Sequence, residues 1–356
     1  MAAICRRLDG IPLALELAAA RASTLGLQEL ASRLDDCFSL LTQGRRTALR
    51  RHQTLRATLD WSYELLPEYE RVVLRRLSIF PANFTLEAAI GIAADADILA
   101  SEVVQSVANL VSKSLVVADV GGADVRYWLL ETTRAYGREK LAEDDELELA
   151  TRRHAEYYRD LLARAEVEWE TRPMAEWLAD YGRQIGNVRA ALDWAYSSSG
   201  DESIGLELTT ASVPLWFQLS LIDECRRRVE LALSHLRFGP DSDTRREMQL
   251  YAALGASLLY TKGPLGETGA AWKRALAIAE SLKNTEYQLR AFRGLWACRV
   301  TSGEYRIALT FAKRFRDIAA DQADPADLLI GERMIGTALH FLGPDQCPAS
   351  HRAHAR

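Results

Sequence analysis

The chain is poor in the residues that staple or metallate small proteins. Its 356 residues include five cysteines (Cys5, Cys37, Cys225, Cys298, Cys347) and six histidines. The cysteines are odd in number and never spaced as CxxC, so neither a disulfide framework nor a structural zinc site is indicated. His52, His154, His235 and His340 stand alone and His351 and His354 lie in the tail, so no metal ligands are assigned. No apolar run approaches the roughly 18–20 residues of a membrane span, and Arg6 and Arg7 precede no signal-peptide core. Charge of one sign is also missing. Lys and Arg number 44 against 49 Asp and Glu, which gives no global reason to bind nucleic acid or an anionic membrane. Finally, GxxxxGK[ST] occurs nowhere, so no Gly-rich loop cradles phosphates and no Lys-Ser/Thr pair places Mg²⁺. A reducing, cytoplasmic setting is expected.

What the chain does contain is helical periodicity. Apolar residues recur at helical spacing through Leu13, Leu17, Ala20, Leu27, Leu30 and Leu34, and Pro12 suits a first helical turn because it lacks only an N–H the helix would not use. Residues 1–45 therefore read as a small helical subdomain. Helices are next expected at His52–Leu65, Pro67–Leu77, Thr85–Ala93 and Ile98–Lys113. The period then becomes twofold in "SLVVADVGGADVRYWLLE", where Gly121-Gly122 can supply a hairpin turn. Val125, Tyr127 and Leu129 should face one side and Arg126 and Trp128 the other. With a closing helix at Thr132–Leu141, residues 46–145 make a winged helix with a two-stranded wing. "AEDDELELA" reads as a solvated acidic stretch opening a helical linker region, 146–203.

Residues 204–342 carry a weak repeat. "TKGPLGETGAAWKRALAIAE" aligns with "TSGEYRIALTFAKRFRDIAA" at an offset of 40, pairing Gly263 with Gly303 and Lys273-Arg274 with Lys313-Arg314. "LIDECRRRVELALSHL" resembles the second helix one unit earlier. Paired helices with a Gly-containing turn suggest a tetratricopeptide-like solenoid, although the spacing exceeds the usual ~34 residues. Its concave face suits a protein or peptide partner, with Leu254, Leu258 and Leu276 packing between units. Trp169, Trp177, Trp194, Trp216, Trp272 and Trp296 read as core anchors. The tail, 343–356, is irregular. The last unit looks cut short, leaving an uncapped apolar end at Ile335, Leu339 and Phe341 that would promote self-association. "AAICRRLDG" likewise looks like a helix already under way, so a fragment of a longer protein is expected.

"DGIPLALELAAAR", "RHQTLRATLDWSYELLPEYERVVLRRLSIFPANFTLEAA" and "LVSKSLVV…YWLLETTRAYGREKL" resemble the signal-transduction ATPases with numerous domains. Within them they are most similar to bacterial NB-ARC-like, ATPase-linked transcriptional regulators. The first string looks like the family's GxP motif, so the resemblance implies that Gly10 and Pro12 face bound nucleotide, and it implies ATP or ADP for the complete family protein. This chain alone, without a phosphate loop, is expected to bind no cofactor and to catalyse nothing. The family's Met-His-Asp signature falls on Leu129-Leu130-Glu131, where only the acid is matched. The resemblance thus implies a regulatory signal-transduction module: a winged-helix relay and a partner-sensing solenoid. The alternative is half of a split ATPase, active only when a separate P-loop chain docks on the N-terminal subdomain.

The winged helix raises DNA binding, which needs outward Arg, Lys, Asn or Gln. Its candidate reading segment, "ILASEVVQSVANLVSK", offers one Lys, one Glu and an apolar face. DNA contact by this helix is not expected. Arg45, Arg46, Arg50, Arg51, His52 and Arg56 form the most basic patch, read as a solvated hinge.

Overall fold

The computed structural model describes residues 55–343 apart from 122–123, 170, 237–242, 265 and 323–324. The helical subdomain with Gly10 and Pro12, most of the basic patch and the tail beyond Gly343 lie outside the described residues. The fold is mainly α, with a winged helix followed by a tetratricopeptide-like solenoid. The described residues fall into two compact units: those up to Arg164 together with Ala179–Asp201, and Ala165–Leu178 together with those from Glu202 onward.

The first unit opens with α1 (Leu55–Glu64), α2 (Glu68–Leu77), α3 (Leu86–Ala93) and α4 (Ala100–Ser112). Pro67 precedes α2, whose first turn holds Glu68 and Glu70 and whose last turn holds Arg75 and Arg76, a charge order that suits the helix dipole. Thr85 caps α3, its hydroxyl accepting from the Ala88 N–H at 3.1 Å. Strands β1 (Val117–Asp119) and β2 (Arg126–Trp128) pair antiparallel, Val117 opposite Trp128. Phe84 adds a stub on the other edge of β2, exchanging two backbone hydrogen bonds with Tyr127. Helix α5 (Glu131–Glu143) closes the winged helix, bound to α1 by Tyr136 Oη donating to Asp60 at 2.8 Å.

The wing departs from simple alternation. Arg126 is 6 % exposed while Val125 is 40 % exposed, so the arginine faces inward. With β1 on one edge and Phe84 on the other, the short strand β2 is paired on both edges. Arg126 lies near Tyr157 and Tyr158 of α6 (Leu147–Glu168). Helix α7 (Met174–Tyr181) and α8 (Ile185–Ala195) follow. Asn187 of α8 fastens the loop before α3, its Nδ2 donating to Asn83 O at 2.8 Å and its Oδ1 accepting from the Ala82 N–H at 3.4 Å.

The second unit is built from α9 (Glu202–Gln218), α10 (Ile222–His235), α11 (Thr244–Thr261), α12 (Gly266–Ser281), α13 (Thr285–Thr301), α14 (Tyr305–Ala320) and α15 (Pro325–Leu342). Each packs on the next in sequence, and α9 with α11 and α11 with α13 also touch, which is solenoid connectivity. The period is marked by backbone conformation. Gly263, Gly303 and Gly343 follow α11, α13 and α15 at intervals of 40, with φ of +83°, +76° and +83°. A left-handed residue past a helix end is where glycine avoids the Cβ penalty.

The apolar faces merge as the repeat requires. Trp272, Ala252, Ala275, Ala291, Leu295 and Cys298 form one buried cluster. Leu289, Phe292, Ala312, Phe315, Met334, Ile335 and Leu339 are among the residues of the next. Leu258 is buried, Leu276 packs against both clusters, and Leu254 is half-buried. The expected uncapped end is corrected accordingly. Ile335 and Leu339 lie on the face of α15 turned to α14 and are 3 % and 6 % exposed, and Phe341, though exposed, stacks on Tyr305 at 4.8 Å. Trp177, Trp216 and Trp272 are buried anchors, whereas Trp169, Trp194 and Trp296 are only half-buried.

Candidate partner interface

Helix α4 would be the reading helix if the winged helix bound DNA. Its exposed residues are Ala100, Ser101, Glu102, Val104, Gln105, Ala108 and Ser112, and Gln105 donates to Asn109 at 3.0 Å. Lys113, just past its end, keeps 40% of its side chain exposed but is ion-paired, with Nζ 2.5 Å from the carboxylate of Glu70, a residue 1 % exposed that also accepts from Asn109 at 2.9 Å. The wing presents Asp119, Val120, Asp124 and Val125, and its arginine is buried. Among the described residues this surface is therefore neutral to acidic.

Two arginines of α2 hold the winged helix together from inside. Arg76 pairs with Asp95 at 2.7 Å and with Glu146 at 3.0 Å, and Nη1 donates to Ala93 O at 2.8 Å. Arg75 pairs with Glu146 at 3.1 Å and Asp144 at 3.2 Å. The stretch "AEDDELELA" is largely exposed, as expected of a solvated run, but its Asp144 and Glu146 also anchor α2. Burial opposes the charge on Asp95, but the N–H groups of Asp97 and Ile98 and the Arg76 guanidinium outweigh it and hold this carboxyl below its usual range. Glu146 is lowered in the same way, burial being outweighed by Arg76 and Arg75.

His154 of α6 is 2 % exposed, 5.4 Å from Phe80 and 4.8 Å from Tyr158 between ring centroids. Burial drives its pKa down to about 3; a hydrogen bond with Asn187 works the other way, and the charge of Arg138 reinforces the fall. The unfolded chain takes up this proton near the ordinary value of 6.5, while the folded imidazole stays neutral. Stability is therefore lost as the pH falls from 6.5 toward 3, and the loss should reach about 2 kcal/mol by about pH 5. Urea midpoints of the first unit at pH 7 and pH 5 should show it, with the slope flattened by His154→Phe. A variant that kept the full slope would rule out His154 as its source.

Other residues singled out in the sequence fall in quieter places. Arg56 is neutralised by a two-pronged bond to Glu139 at 2.8 and 2.6 Å. Leu129 is buried, Leu130 precedes α5, and Glu131 is exposed and pairs with Arg134 at 2.5 Å. His235 lies 3.0 Å from Glu202. Among the described residues no group of His, Cys, Asp and Glu could hold a metal ion, and no helix is long and apolar enough to cross a membrane.

The solenoid holds a cavity of about 230 Å³ lined by Pro264, Gly266, Gly269, Ala270, Lys273, Leu295, Cys298, Arg299 and Ser302. A Cβ built on Gly266 or Gly269 would meet nothing within 4 Å. Forty residues later the same positions hold Arg306 and Leu309, so the space is opened by side chains this unit omits. The signal was present in the alignment of the two repeats, in the places where they disagree.

Residues 66–142 match the winged helix-turn-helix domain family. Over 305 residues the chain is 38% identical to a Mycobacterium tuberculosis protein that bears the provisional name of an HTH-type transcriptional regulator, covering 84% of this chain and 34% of that protein. An uncharacterized protein of the same organism is 41% identical over 155 residues, 43% of this chain and 39% of its own length. The chain therefore spans little more than a third of the length of these curated relatives. A Pyrococcus horikoshii signal-transduction ATPase with numerous domains and a tetratricopeptide repeat sensor aligns over 94% of this chain and 51% of its own, with a TM-score of 0.41 and 13% identity.

Proposed function

We propose that the chain is the relay and partner-sensing part of an ATPase-linked transcriptional regulator, and that it catalyses no reaction itself. The helical repeats engage a protein or peptide, and the winged helix passes on their state through protein contacts. One observation supports this reading: among the described residues of the would-be reading surface, Lys113 is ion-paired with buried Glu70 and the wing carries Asp119 and Asp124. Phosphate contact by Lys and Arg supplies most non-specific DNA affinity, and base readout needs outward polar donors. The regulatory role itself is supported by the relative from Mycobacterium tuberculosis.

Fluorescence anisotropy with random and genomic duplexes tests the first part. The chain should show no preference between sequences, and any weak binding through the arginines near residue 50 should vanish as salt rises from about 50 to about 200 mM. A footprint on one sequence that survives high salt would overturn it. Transcript profiling tests the second: a strain lacking the chain should change the expression of a defined gene set, and an unchanged profile would remove the regulatory reading.

A further inference from the structure

We propose that the cavity between α12 and α13 is a socket for one glutamate side chain of the partner, the carboxylate held by Lys273 and Arg299. This rests on the partner-sensing reading and names its chemistry. Lys273 has no ion-pair partner among the described residues. The Arg299 guanidinium gives Nη1 to Glu304, while its Nε is buried without an acceptor among the described residues. A buried N–H left unmade is costly, so an arriving carboxylate gains more here than at an open surface. The lining also includes Pro264, Ala270, Leu295 and Cys298, which suit methylenes rather than a bare inorganic anion. At about 230 Å³ the space falls below the range of roughly 300–1,000 Å³ typical of small-molecule sites, and so fits a single side chain.

The neighbouring unit shows that the arrangement is particular to this one. At the offset of 40, Gly266, Gly269, Leu295, Cys298 and Arg299 become Arg306, Leu309, Ile335, Ala338 and Leu339, while Lys273 stays lysine as Lys313. In that unit the second cation is gone and the two glycines are replaced by bulk. Of these two units, the α12–α13 unit has both the space and the pair of cations.

The test uses the full chain labelled with ¹⁵N-glycine and titrated with N-acetyl-glutamate N-methylamide. N-acetyl-glutamine N-methylamide and inorganic phosphate serve as comparisons. A ligand of about a dozen heavy atoms at about 0.3 kcal/mol each should bind with Kd of the order of 1 mM. The Gly266 and Gly269 signals should shift saturably with glutamate and much less with glutamine or phosphate. Lys273→Gln should weaken binding about tenfold. Gly269→Leu, which copies Leu309 into open space on a helix, should abolish it with the remaining spectrum unchanged. No shift, an equal response to the glutamine compound, tighter binding of phosphate, or survival of the shift in Gly269→Leu would each overturn the proposal. These readouts involve neither DNA nor transcripts, so failure of the socket and failure of the regulatory reading are seen in different experiments.

Discussion

Replacing Arg76 with methionine is expected to cost the first unit about 3–5 kcal/mol, the usual penalty for removing one member of a buried charge cluster. The arginine side chain is 10% exposed, and it faces Asp95 at 16% and Glu146 at 22%. Its loss removes the closer cation from Asp95 and one of two arginines from Glu146, carboxylates that water reaches poorly, and leaves Ala93 O without its donor. Urea denaturation should show the midpoint falling with the slope unchanged, and hydrogen exchange should accelerate in α2, α3 and α5 together. Arg56→Met makes the contrast. Its pair with Glu139 has both side chains more than a third exposed, so little should change. If Arg76→Met cost less than about 1 kcal/mol, the cluster would have to be treated as a solvated pair.

In the second unit, Gly294→Ala is expected to destabilise by about 1–3 kcal/mol even though alanine is the better helix former by about 1 kcal/mol. A Cβ at Gly294 on α13 would lie 2.2 Å from the Trp272 ring, and one at Gly255 on α11 would lie 2.7 Å from it. The indole is held between two helices and cannot swing away from one without striking the other. Relief by a smaller residue follows: in a Trp272→Leu background the same Gly294→Ala change should cost far less. Thermal unfolding of the four chains completes the cycle, and equal costs in both backgrounds would show that the ring is not what the new methyl meets.

The two kinds of prediction differ in how far the sequence announces them. Helices α2 to α5 and the hairpin begin and end within a few residues of their periodic patterns, because proline, a threonine cap and paired glycines punctuate them locally. The offset of 40 between Gly263 and Gly303 is equally local, since it reflects a backbone conformation each unit needs at the same place. The ion cluster is not. Arg76 and Glu146 are 70 residues apart, and nothing in "AEDDELELA" distinguishes an anchor from a solvated run until α5 has folded back on α2. Arg126 misleads for a related reason, since it is buried near Tyr157 and Tyr158 of a helix that follows it in the chain while Val125 beside it is exposed. Pro214 is a third case. It sits inside α9 without ending it, where Ala211, Leu215 and Trp216 are buried on either side, so packing has overcome a local cost of about 3 kcal/mol. Gly10 and Pro12, singled out by resemblance, fall outside the described residues, and their facing nucleotide remains a proposal of that resemblance.

The bond between Lys113 and Glu70 has an evolutionary consequence. If, as proposed, this winged helix acts through protein contacts, a gain of DNA binding would ordinarily proceed by stepwise addition of surface cations. Here the cation best placed at the end of α4 is already the counter-ion of an acid shut inside the fold. Turning Lys113 outward would strand that acid, and removing the acid first would leave Asn109 and Lys113 without the group they hold. Either first step costs stability before any new contact is made. On the proposed reading, the domain is held to protein contacts by its own interior.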